Sequence, residues 1–490
     1  MTMDKLLEAM PVVMLALAMG LAVVVGLALM LDVGSRYRFE WMGYVFVAIL
    51  LTMVASVILQ GRVLGAELSD MVPISDDSGA SNWVSRVITL LCVALAAERA
   101  ARFVFRREYK NSRGMGLVVA FMLYLVAVNL VSSLLGSQPS FSHHLLYAPL
   151  FALAMFAYAQ ANSDQGVVIA RNALLVFVLM SLAALAVRID MVAESNYRAG
   201  LIPGFSLRFY GFATHPNTLA PLCFVLMSCL LLRPFQRPSV TALAWAAVST
   251  CILLTQSKTS IGLVGILLVA LILFRQIRAA RERGRAEIAR LVIPLWTILF
   301  LISSAVGLVT LVALLADLQI VQRLTRNVDF QQIATLTGRT TVWTETIKAL
   351  QANPLFGYGP ELWGVEFRIR TGMMFTHAHN QYLQTLGAGG ILGFVALFGY
   401  LITLLVVAWR ARVGSHGVTV ALAVFLIVRG ATEVPLSVSS PMQGEFLVQM
   451  ILLMLCVAHS PAAQPLLVRS EKPHQLVSTD PKFPSRVLHS

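Results

Sequence analysis

The chain has 490 residues, of which 58% are hydrophobic and 12% are charged, whereas about a quarter of the residues of a soluble domain are charged. This composition excludes an ordinary soluble protein and predicts an all-α, polytopic integral membrane protein. The net charge of +13 would suggest a nucleic-acid partner for a soluble chain. In a membrane protein the placement of the basic residues matters more than their sum, and we expect no nucleic acid.

Apolar segments recur as far as about residue 458 without a large soluble block, which predicts a single transmembrane domain over residues 1–459. The first segment is predicted to be a retained helix, because it is too long for a cleaved signal peptide and has no basic leader. All five cysteines lie in apolar segments without Cys-x-x-Cys spacing, so neither disulfides nor a zinc site is predicted. The third segment fits a span least well, because Arg86, Glu98 and Arg99 lie near its edges. Thirteen candidate spans, of which we expect 12 or 13 to cross the membrane, have the approximate bounds 10–31, 41–59, 83–101, 115–131, 145–159, 167–187, 219–232, 241–254, 261–274, 291–315, 391–408, 418–428 and 446–458.

The basic residues predict the orientation of the chain. Segments 98–113 and 275–290 each contain six Lys or Arg residues, and such segments stay cytoplasmic. Both give the same alternation of loops, with the N-terminus outside and the tail 460–490 inside and disordered. An even number of spans would instead place the N-terminus inside. The outer loops include 188–214, 255–260 and the long loop 316–390.

The long outer loop is predicted to contain an amphipathic helix. Thr340 can cap this helix, and Pro354 ends it. A turn over residues 353–359 follows. We expect the helix to lie on the membrane surface rather than across it. Its apolar positions are Val342, Trp343, Ile347 and Leu350.

Three groups of polar residues lie in the predicted outer loops. The first runs from Arg208 to Asn217 and the second from Gln256 to Ser260. The third runs from Gly338 to Gly359 and continues from His377 to Gln384. All three face the same side, while the middles of the spans are nearly free of charge. This pattern favours surface chemistry over transport, which needs polar groups inside several spans.

The third group contains an ordered set of motifs, and the first adds an Arg-x-x-Gly-x-x-x-His-Pro-Asn pattern. The residues are Gly338-Arg339-Thr340, Trp343, Pro354-Leu355-Phe356-Gly357-Tyr358-Gly359, His379-Asn380-Gln381-Tyr382-Leu383-Gln384 and Gly387 to Gly393, with Arg208, Gly211, His215, Pro216 and Asn217 before them. In this order they resemble the signature of the O-antigen polymerase and O-antigen ligase family of bacterial surface-polysaccharide assembly. The resemblance covers the C-terminal two-thirds of the chain.

The resemblance implies a multi-pass glycosyltransferase of the bacterial inner membrane that acts on the periplasmic face. It implies transfer of a glycan from undecaprenyl pyrophosphate to another lipid-linked glycan or to the lipid A core, in the synthesis of lipopolysaccharide O-antigen or exopolysaccharide. The expected partners are this lipid-linked donor, a glycan or lipid acceptor, membrane lipids, and a chain-length regulator with export proteins. No cofactor is expected.

The residue types also suit the chemistry. Displacing a pyrophosphate from an anomeric carbon requires cations near the departing charge and a base for the incoming hydroxyl. We predict His379 as the general base, with His377 as the second candidate, because a neutral imidazole can accept a proton near pH 7. Arg208, Lys258 and Arg339 are predicted to bind the pyrophosphate. The family more often has arginine at the Lys258 position, which argues against bidentate binding there but keeps the charge. The remaining predicted substrate-binding residues are His215, Asn217, Trp343, Tyr358, which is available to stack on a sugar, and Asn380.

Several of these residues also have a structural interpretation. His379 could cap the helix that leads into the eleventh span, with Asn380 satisfying free backbone N–H groups. The motif favours catalysis for His379, whereas segment 215–217 is favoured as a helix start with Asn217 or Thr214 as its cap. Arg429 and Glu433 lie four residues apart and are predicted to pair on one helix face.

The predicted reaction is metal-independent. The outer loops contain no Asp-x-Asp pair, and the only close histidine pairs are His143-His144 and His377-His379. A lipid-linked oligosaccharide flippase or another polysaccharide-export transporter is the alternative function, and a non-catalytic scaffold of an export complex is a third. Between polymerase and ligase, the extra N-terminal helix and the long tail favour a polymerase.

Overall fold

The structure is a computed structural model that describes residues 41–64, 79–195, 197, 206–282, 334–373, 375–436 and 440–461. Within these ranges the regular secondary structure is helical apart from one pair of two-residue antiparallel strands, so the predicted all-α class is confirmed. The helices are α1 (Val45–Leu59), α2 (Gly79–Phe105), α3 (Met115–Leu125), α4 (Ser132–Leu135), α5 (Tyr147–Val187), α6 (Ile189–Val192), α7 (Pro216–Leu232), α8 (Pro238–Leu254), α9 (Lys258–Glu282), α10 (Ala334–Ala352), α11 (Val365–Thr371), α12 (Gln381–Arg410), α13 (Val418–Arg429) and α14 (Gly444–His459). The strands are β1 (Ala193–Glu194) and β2 (Arg208–Phe209).

Five described helical segments are long and apolar enough to cross a membrane, and four shorter apolar helices accompany them. The five are Trp41–Leu59, Met115–Leu135, His143–Val187, Lys258–Ala279 and Gln381–Arg410. A π-helical turn, Val126–Val131, joins α3 to α4 in the second. Helix α2 contains the third predicted span but is not among the five. The predicted spans 10–31 and 291–315 lie outside the described residues, as does the tail beyond residue 461.

Helix α5 contains both the fifth and the sixth predicted spans. Its 41 residues would extend roughly 60 Å as a straight helix, about twice the thickness of the hydrocarbon layer. The backbone leaves helical geometry at Asn162. A Cβ atom at Gly43 would lie 2.5 Å from Tyr158 and 2.9 Å from Ile169, so the two arms converge around that glycine. In place of the predicted loop between spans 145–159 and 167–187, the structure therefore has a kink at a single residue, Asn162.

The centre of the bundle is formed by α5, α7 and α14, which pack against one another. Helix α14 is buried at every position from Phe446 to Val457. A helix that is apolar on all sides must lie among other helices. At its start, Thr218 Oγ1 of α7 donates to Glu445 Oε1 of α14 at 2.5 Å, so the N-termini of these two helices are adjacent.

Helix α12 is interrupted by the turn that follows α10. Gly390 has φ +61° and ψ −161°, a conformation open only to glycine. The turn fits into this break, because Ile391 N–H donates to Pro354 O at 2.9 Å and Tyr358 N–H donates to Gly387 O at 2.8 Å. A Cβ atom at Gly390 would lie 2.4 Å from the Leu355 carbonyl. The backbone of the Pro-Leu-Phe-Gly-Tyr-Gly turn therefore packs directly against the backbone of the Gly-rich start of α12.

The amphipathic helix predicted from Thr340 is observed as α10, which begins before that residue and ends two residues before Pro354. Its Val342 and Trp343 pack in a small apolar cluster with Tyr358, Phe367 and others. This cluster fixes α10 against the start of α12. Its position at the membrane surface stays a prediction.

Candidate functional site

Segments that are distant in the chain meet at one end of the bundle, which we call the motif end. Asn217 Nδ2 donates to Glu433 Oε1 at 2.6 Å, and Ser257 Oγ donates to Asn217 Oδ1 at 2.8 Å. Asn380 Nδ2 donates to Ala431 O at 3.2 Å. The motif end consists of residues 208–217, 256–260, 377–381 and 429–436. All three predicted polar groups therefore contribute to it.

His215 begins α7 as its N-cap. Its Nδ1 accepts the Asn217 N–H at 3.1 Å, and Pro216 occupies the first helical position. Burial and the nearby Arg208 guanidinium lower the pKa of His215 to about 4. The ring is therefore neutral at pH 7. The predicted helix start is confirmed, but its cap is His215 and not Asn217 or Thr214.

Asn217 links three segments of the motif end. Its side chain bonds to both Glu433 and Ser257, and its carbonyl oxygen accepts from Arg429. Asn217 was predicted to bind substrate. In the structure its side chain holds the second polar group and the residues after α13 against the start of α7.

Arg208 lies on β2, where its guanidinium stacks over the Tyr197 ring at 4.6 Å. Arg62 holds together the segments on either side of the β1–β2 pair, because it donates to the carbonyl oxygens of Met191 at 2.9 Å and Ala213 at 2.7 Å. Sequence reasoning did not find Arg62. Its position just after an apolar span gave no sign of a contact some 150 residues away.

The short loop before α9 presents Lys258 at the surface. Gln256 is buried with φ +51° and donates to Leu207 O, and Ser257 is buried against Asn217. Lys258 itself is exposed as the first residue of α9. Its ammonium group is thus at the motif end with its donors open to a ligand.

His379 lies beside a carboxylate. Its Nδ1 is 3.6 Å from Glu433 Oε2, and its backbone N–H donates to His377 Nδ1 at 3.2 Å. His379 has φ +50°, a left-handed conformation that is uncommon for residues other than glycine, although histidine adopts it more often than most. Such conformations concentrate at functional sites, where the surrounding contacts hold them.

The protonation states of this group differ from their ordinary values. Burial, together with His379, lowers the pKa of His377 to about 4. Burial alone would raise the pKa of Glu433, but the interaction with His379 and the charge of Arg429 lower it to about 2. At pH 7 the site therefore contains a neutral His377 beside an ionised Glu433.

Asn380, rather than His379, caps α12. Its side chain accepts the Leu383 N–H at 3.0 Å. This leaves the His379 ring outside the capping contacts. The alternative interpretation of His379 as the cap is therefore wrong, because Asn380 accepts the capping hydrogen bond.

Arg429 and Glu433 do not form the predicted pair on one helix face. Helix α13 ends at Arg429, so Glu433 lies in the following turn and contacts Asn217 and His379 instead. Arg429 forms its ion pair with Glu445, with Nη2 and Oε1 3.8 Å apart, and acts on Glu433 only through its charge. Glu433 is the residue that sequence reasoning missed as part of the site. An acidic residue in an outer turn between two apolar spans was the available signal.

The predicted residues of α10 reach the same region. Trp343 Nε1 donates to Ala378 O at 2.9 Å, which fixes the backbone between the two histidines. Arg339 is half-buried. Its charge also lowers the pKa of His377, by less than burial and His379 do. Tyr358 is buried against Phe367, with ring centroids 5.1 Å apart. Its availability for stacking on a sugar is correspondingly small.

Three possible metal ligands lie together. The ligand atoms of His377, His379 and Glu433 are all within 4.8 Å of one another. From the sequence only the histidine pair was visible. A His₂-carboxylate set of this kind is chemically suited to zinc.

Residues 241–398 match the O-antigen ligase family model. This segment includes Lys258, Arg339 and His379 and ends before Glu433. The match confirms the family resemblance carried by the motifs between Gly338 and Gly393, and it supports a glycosyltransferase-like function of the O-antigen ligase or polymerase type. The Arg208–Asn217 pattern lies outside the matched segment. No curated protein matches the chain.

Proposed function

We propose that this protein transfers a glycan from undecaprenyl pyrophosphate to a glycan or lipid acceptor on the periplasmic face of the inner membrane. The observation that carries the proposal is the approach of His379 Nδ1 to Glu433 Oε2, 3.6 Å apart. A carboxylate beside Nδ1 favours the tautomer with the proton on Nδ1. Nε2 then keeps its lone pair and can act as the general base.

The reaction follows from this arrangement. Nε2 of His379 takes the proton of the acceptor hydroxyl as its oxygen bonds to the anomeric carbon. The bond between that carbon and the pyrophosphate oxygen breaks, and the pyrophosphate leaves with the electron pair. Glu433, ionised because of its low pKa, stabilises the imidazolium that forms.

The departing charge needs cations. Among the described residues, no hydrogen-bond acceptor contacts the side chains of Arg208, Lys258 or Arg339, the three predicted pyrophosphate ligands. Their donors are therefore available to phosphate oxygens. His377 is neutral at pH 7 and can contribute hydrogen bonding but little charge.

The opposite end of the bundle supports the periplasmic placement. Helices α7, α9 and α12 run from the motif end to segments rich in arginine, at residues 233–237, 275–278 and 410–412. Such segments remain in the cytoplasm. The motif end then faces the periplasm.

The test is transfer by membranes that contain His379→Ala, compared with wild type. The donor is the lipid-linked glycan of a host whose own transferase gene is deleted. We expect kcat to fall by about a thousandfold, with insertion and abundance unchanged. His459→Ala, which removes a histidine at the opposite end, is the matched control and should retain activity. Full activity of His379→Ala would overturn the assignment of the base.

The same assay separates the remaining alternatives. A ladder of products indicates polymerisation, and a single product indicates ligation. We propose that no metal ion is required, because arginine and lysine supply the positive charge, and we expect EDTA to leave the rate unchanged. Loss of activity in EDTA and its return with Zn²⁺ would instead assign a catalytic metal to the His377, His379 and Glu433 group.

A further inference from the structure

A cleft opens beside α10. It lies between α10, α11 and the loop that follows α4, and its volume is about 470 Å³. Pockets for small molecules generally have between about 300 and 1,000 Å³. Its walls include Ser137, Gln138, Lys348, Tyr358, Arg370 and Thr371.

The cleft contains polar groups that are not used by the fold. The Arg370 guanidinium lies over the rings of Tyr358 and Phe367, 5.3 Å from each centroid. No acceptor contacts it among the described residues. Ser137 Oγ is buried and has no hydrogen-bond partner there. Gln138, the next residue, is exposed.

The charges in the cleft are balanced except for that of Arg370. Lys348 Nζ bonds to Glu345 Oε1 at 2.6 Å, so this pair presents little net charge. The remaining groups are a guanidinium, an amide and a hydroxyl. A planar guanidinium and a planar amide can each bond to two neighbouring oxygens, and the amide both donates and accepts. This set of donors and acceptors suits the adjacent hydroxyl groups of a sugar better than an apolar chain.

The cleft is joined to the proposed catalytic base by a rigid connection. Tyr358 and Phe367 belong to the same apolar cluster as Trp343 and Ala378. Ala378 lies between the two histidines, and Trp343 bonds to its carbonyl oxygen. Arg339 and Lys348 are separated by roughly 13 Å along α10, a distance that a short oligosaccharide can bridge.

We infer that this cleft binds sugar units of the glycan that are remote from the reacting bond. The inference rests on the proposed function and adds a saccharide subsite to it. The ligand belongs to either the donor or the acceptor glycan, which share this chemistry. Binding energy from such remote units positions the reacting atoms.

The experiment measures transfer kinetics of Arg370→Ala and Gln138→Ala with the full-length protein. Loss of a hydrogen bond to a charged group typically costs a factor of ten or more in binding. We expect the KM for one substrate to rise about tenfold in Arg370→Ala with kcat retained, whereas His379→Ala lowers kcat. The substrate whose KM rises identifies the source of the sugar.

A second measurement uses the oligosaccharide released from the host's lipid-linked glycan by mild acid, which lacks both lipid and pyrophosphate. It should inhibit transfer competitively against the same substrate, with an inhibition constant about tenfold higher for Arg370→Ala. Arg412→Ala is the matched control, because Arg412 also stacks on an aromatic ring, Trp409, at 4.4 Å but lies far from the cleft.

The outcomes separate the two proposals. If wild type transfers glycan but the Arg370→Ala/Gln138→Ala double variant has unchanged kinetic and inhibition constants, the saccharide subsite is wrong and the proposed function stands. If wild type transfers no glycan, saturation-transfer NMR with the released oligosaccharide still decides the subsite. Binding that disappears in the double variant supports it, and binding that persists overturns it.

Discussion

The two ends of the helix bundle use their charged residues differently. At the arginine-rich end, guanidinium groups bond to main-chain carbonyls, as Arg275 Nη2 does to Leu231 O at 2.8 Å and Arg171 Nη1 to Pro234 O at 3.1 Å. These carbonyls lie at or just beyond the C-terminus of α7, where a helix leaves them without partners. Arg62 and Arg429 also bond to carbonyls at the motif end, but there polar side chains bond in addition to one another across long sequence separations.

This difference indicates which end is built for structure and which for chemistry. At the arginine-rich end, Arg275 and Arg171 donate to backbone carbonyls, and their charges complement the negative end of the α7 helix dipole. The predicted pyrophosphate ligands at the motif end have no hydrogen-bond acceptor within the described part of the chain. Substitutions should therefore divide into stability effects and activity effects according to the end that they change.

The largest expected effect is structural and tests the break in α12. Gly390→Ala places a Cβ atom 2.4 Å from the Leu355 carbonyl at a φ of +61°, so the turn and the helix start cannot both keep their positions. We expect a loss of more than about 3 kcal/mol and little inserted protein, measured by thermal unfolding in detergent and by yield.

Gly399→Ala is the control within the same helix, nearer the arginine-rich end. No atom lies within 4 Å of a Cβ built there, and alanine in a helix interior is more stable than glycine by about 0.5–1 kcal/mol. Unfolding temperatures should move in opposite directions for the two variants. Equal tolerance of both substitutions would show that the turn does not lock the break.

The next effect in size concerns Glu433. Glu433→Gln keeps the shape and the bond to Asn217 but removes the charge beside His379. We expect kcat to fall about a hundredfold with KM nearly unchanged, because the imidazolium loses its stabilising charge. Glu433→Asp should recover part of the rate. A structural role alone would instead lower stability and leave kcat per folded molecule intact.

The sequence predicted much of this arrangement but not its connections. His379, Asn380 and Lys258 were found from local motifs, because each motif lies within a few residues. Glu433 was missed as a partner of His379, because its contacts to Asn217 cross 216 residues and depend on where α13 ends. One turn more of helix would have placed it beside Arg429, as the four-residue spacing predicts.

The helix boundaries show the same limit. Apolar periodicity located α7, α12 and α14, since it reports burial directly. It could not distinguish a loop from a single-residue break at Asn162, because both interrupt the pattern by a few polar residues. The packing of turn 353–359 into the break of α12 could not be predicted either, because glycines are the only sequence signal of close contacts between two backbones.

A smaller effect is expected from acid. His215 and His377 each have a folded pKa of about 4, below the value of about 6.5 in an unfolded chain. As pH falls below 6.5, the unfolded state takes up protons first, so stability decreases until about pH 4, by on the order of 2 kcal/mol for each histidine. Thermal unfolding between pH 7.5 and 4.5 measures this decrease.

The variant His377→Asn sharpens the pH prediction. Asparagine keeps an acceptor for the His379 N–H but does not titrate, so the dependence on pH should be weaker than in wild type. Below pH 4.5 the remaining decrease comes from Glu433, whose folded pKa of about 2 makes its contribution present above pH 4.5 and lost as pH falls toward 2. A slope identical in wild type and His377→Asn would contradict the burial of a neutral ring.

The smallest effect distinguishes charge from geometry at the pyrophosphate. Lys258→Ala should raise the KM for the lipid-linked donor about tenfold, because an exposed cation at the motif end is lost, while stability stays unchanged. Lys258→Arg should restore or improve binding, since a guanidinium can bond to two phosphate oxygens. At the other end, Arg275→Lys should do the reverse, with less stability and an unchanged KM, because its guanidinium bonds to the Leu231 carbonyl. If Lys258→Ala and Arg275→Lys raised KM equally, the assignment of binding to the motif end and of stability to the arginine-rich end would be wrong.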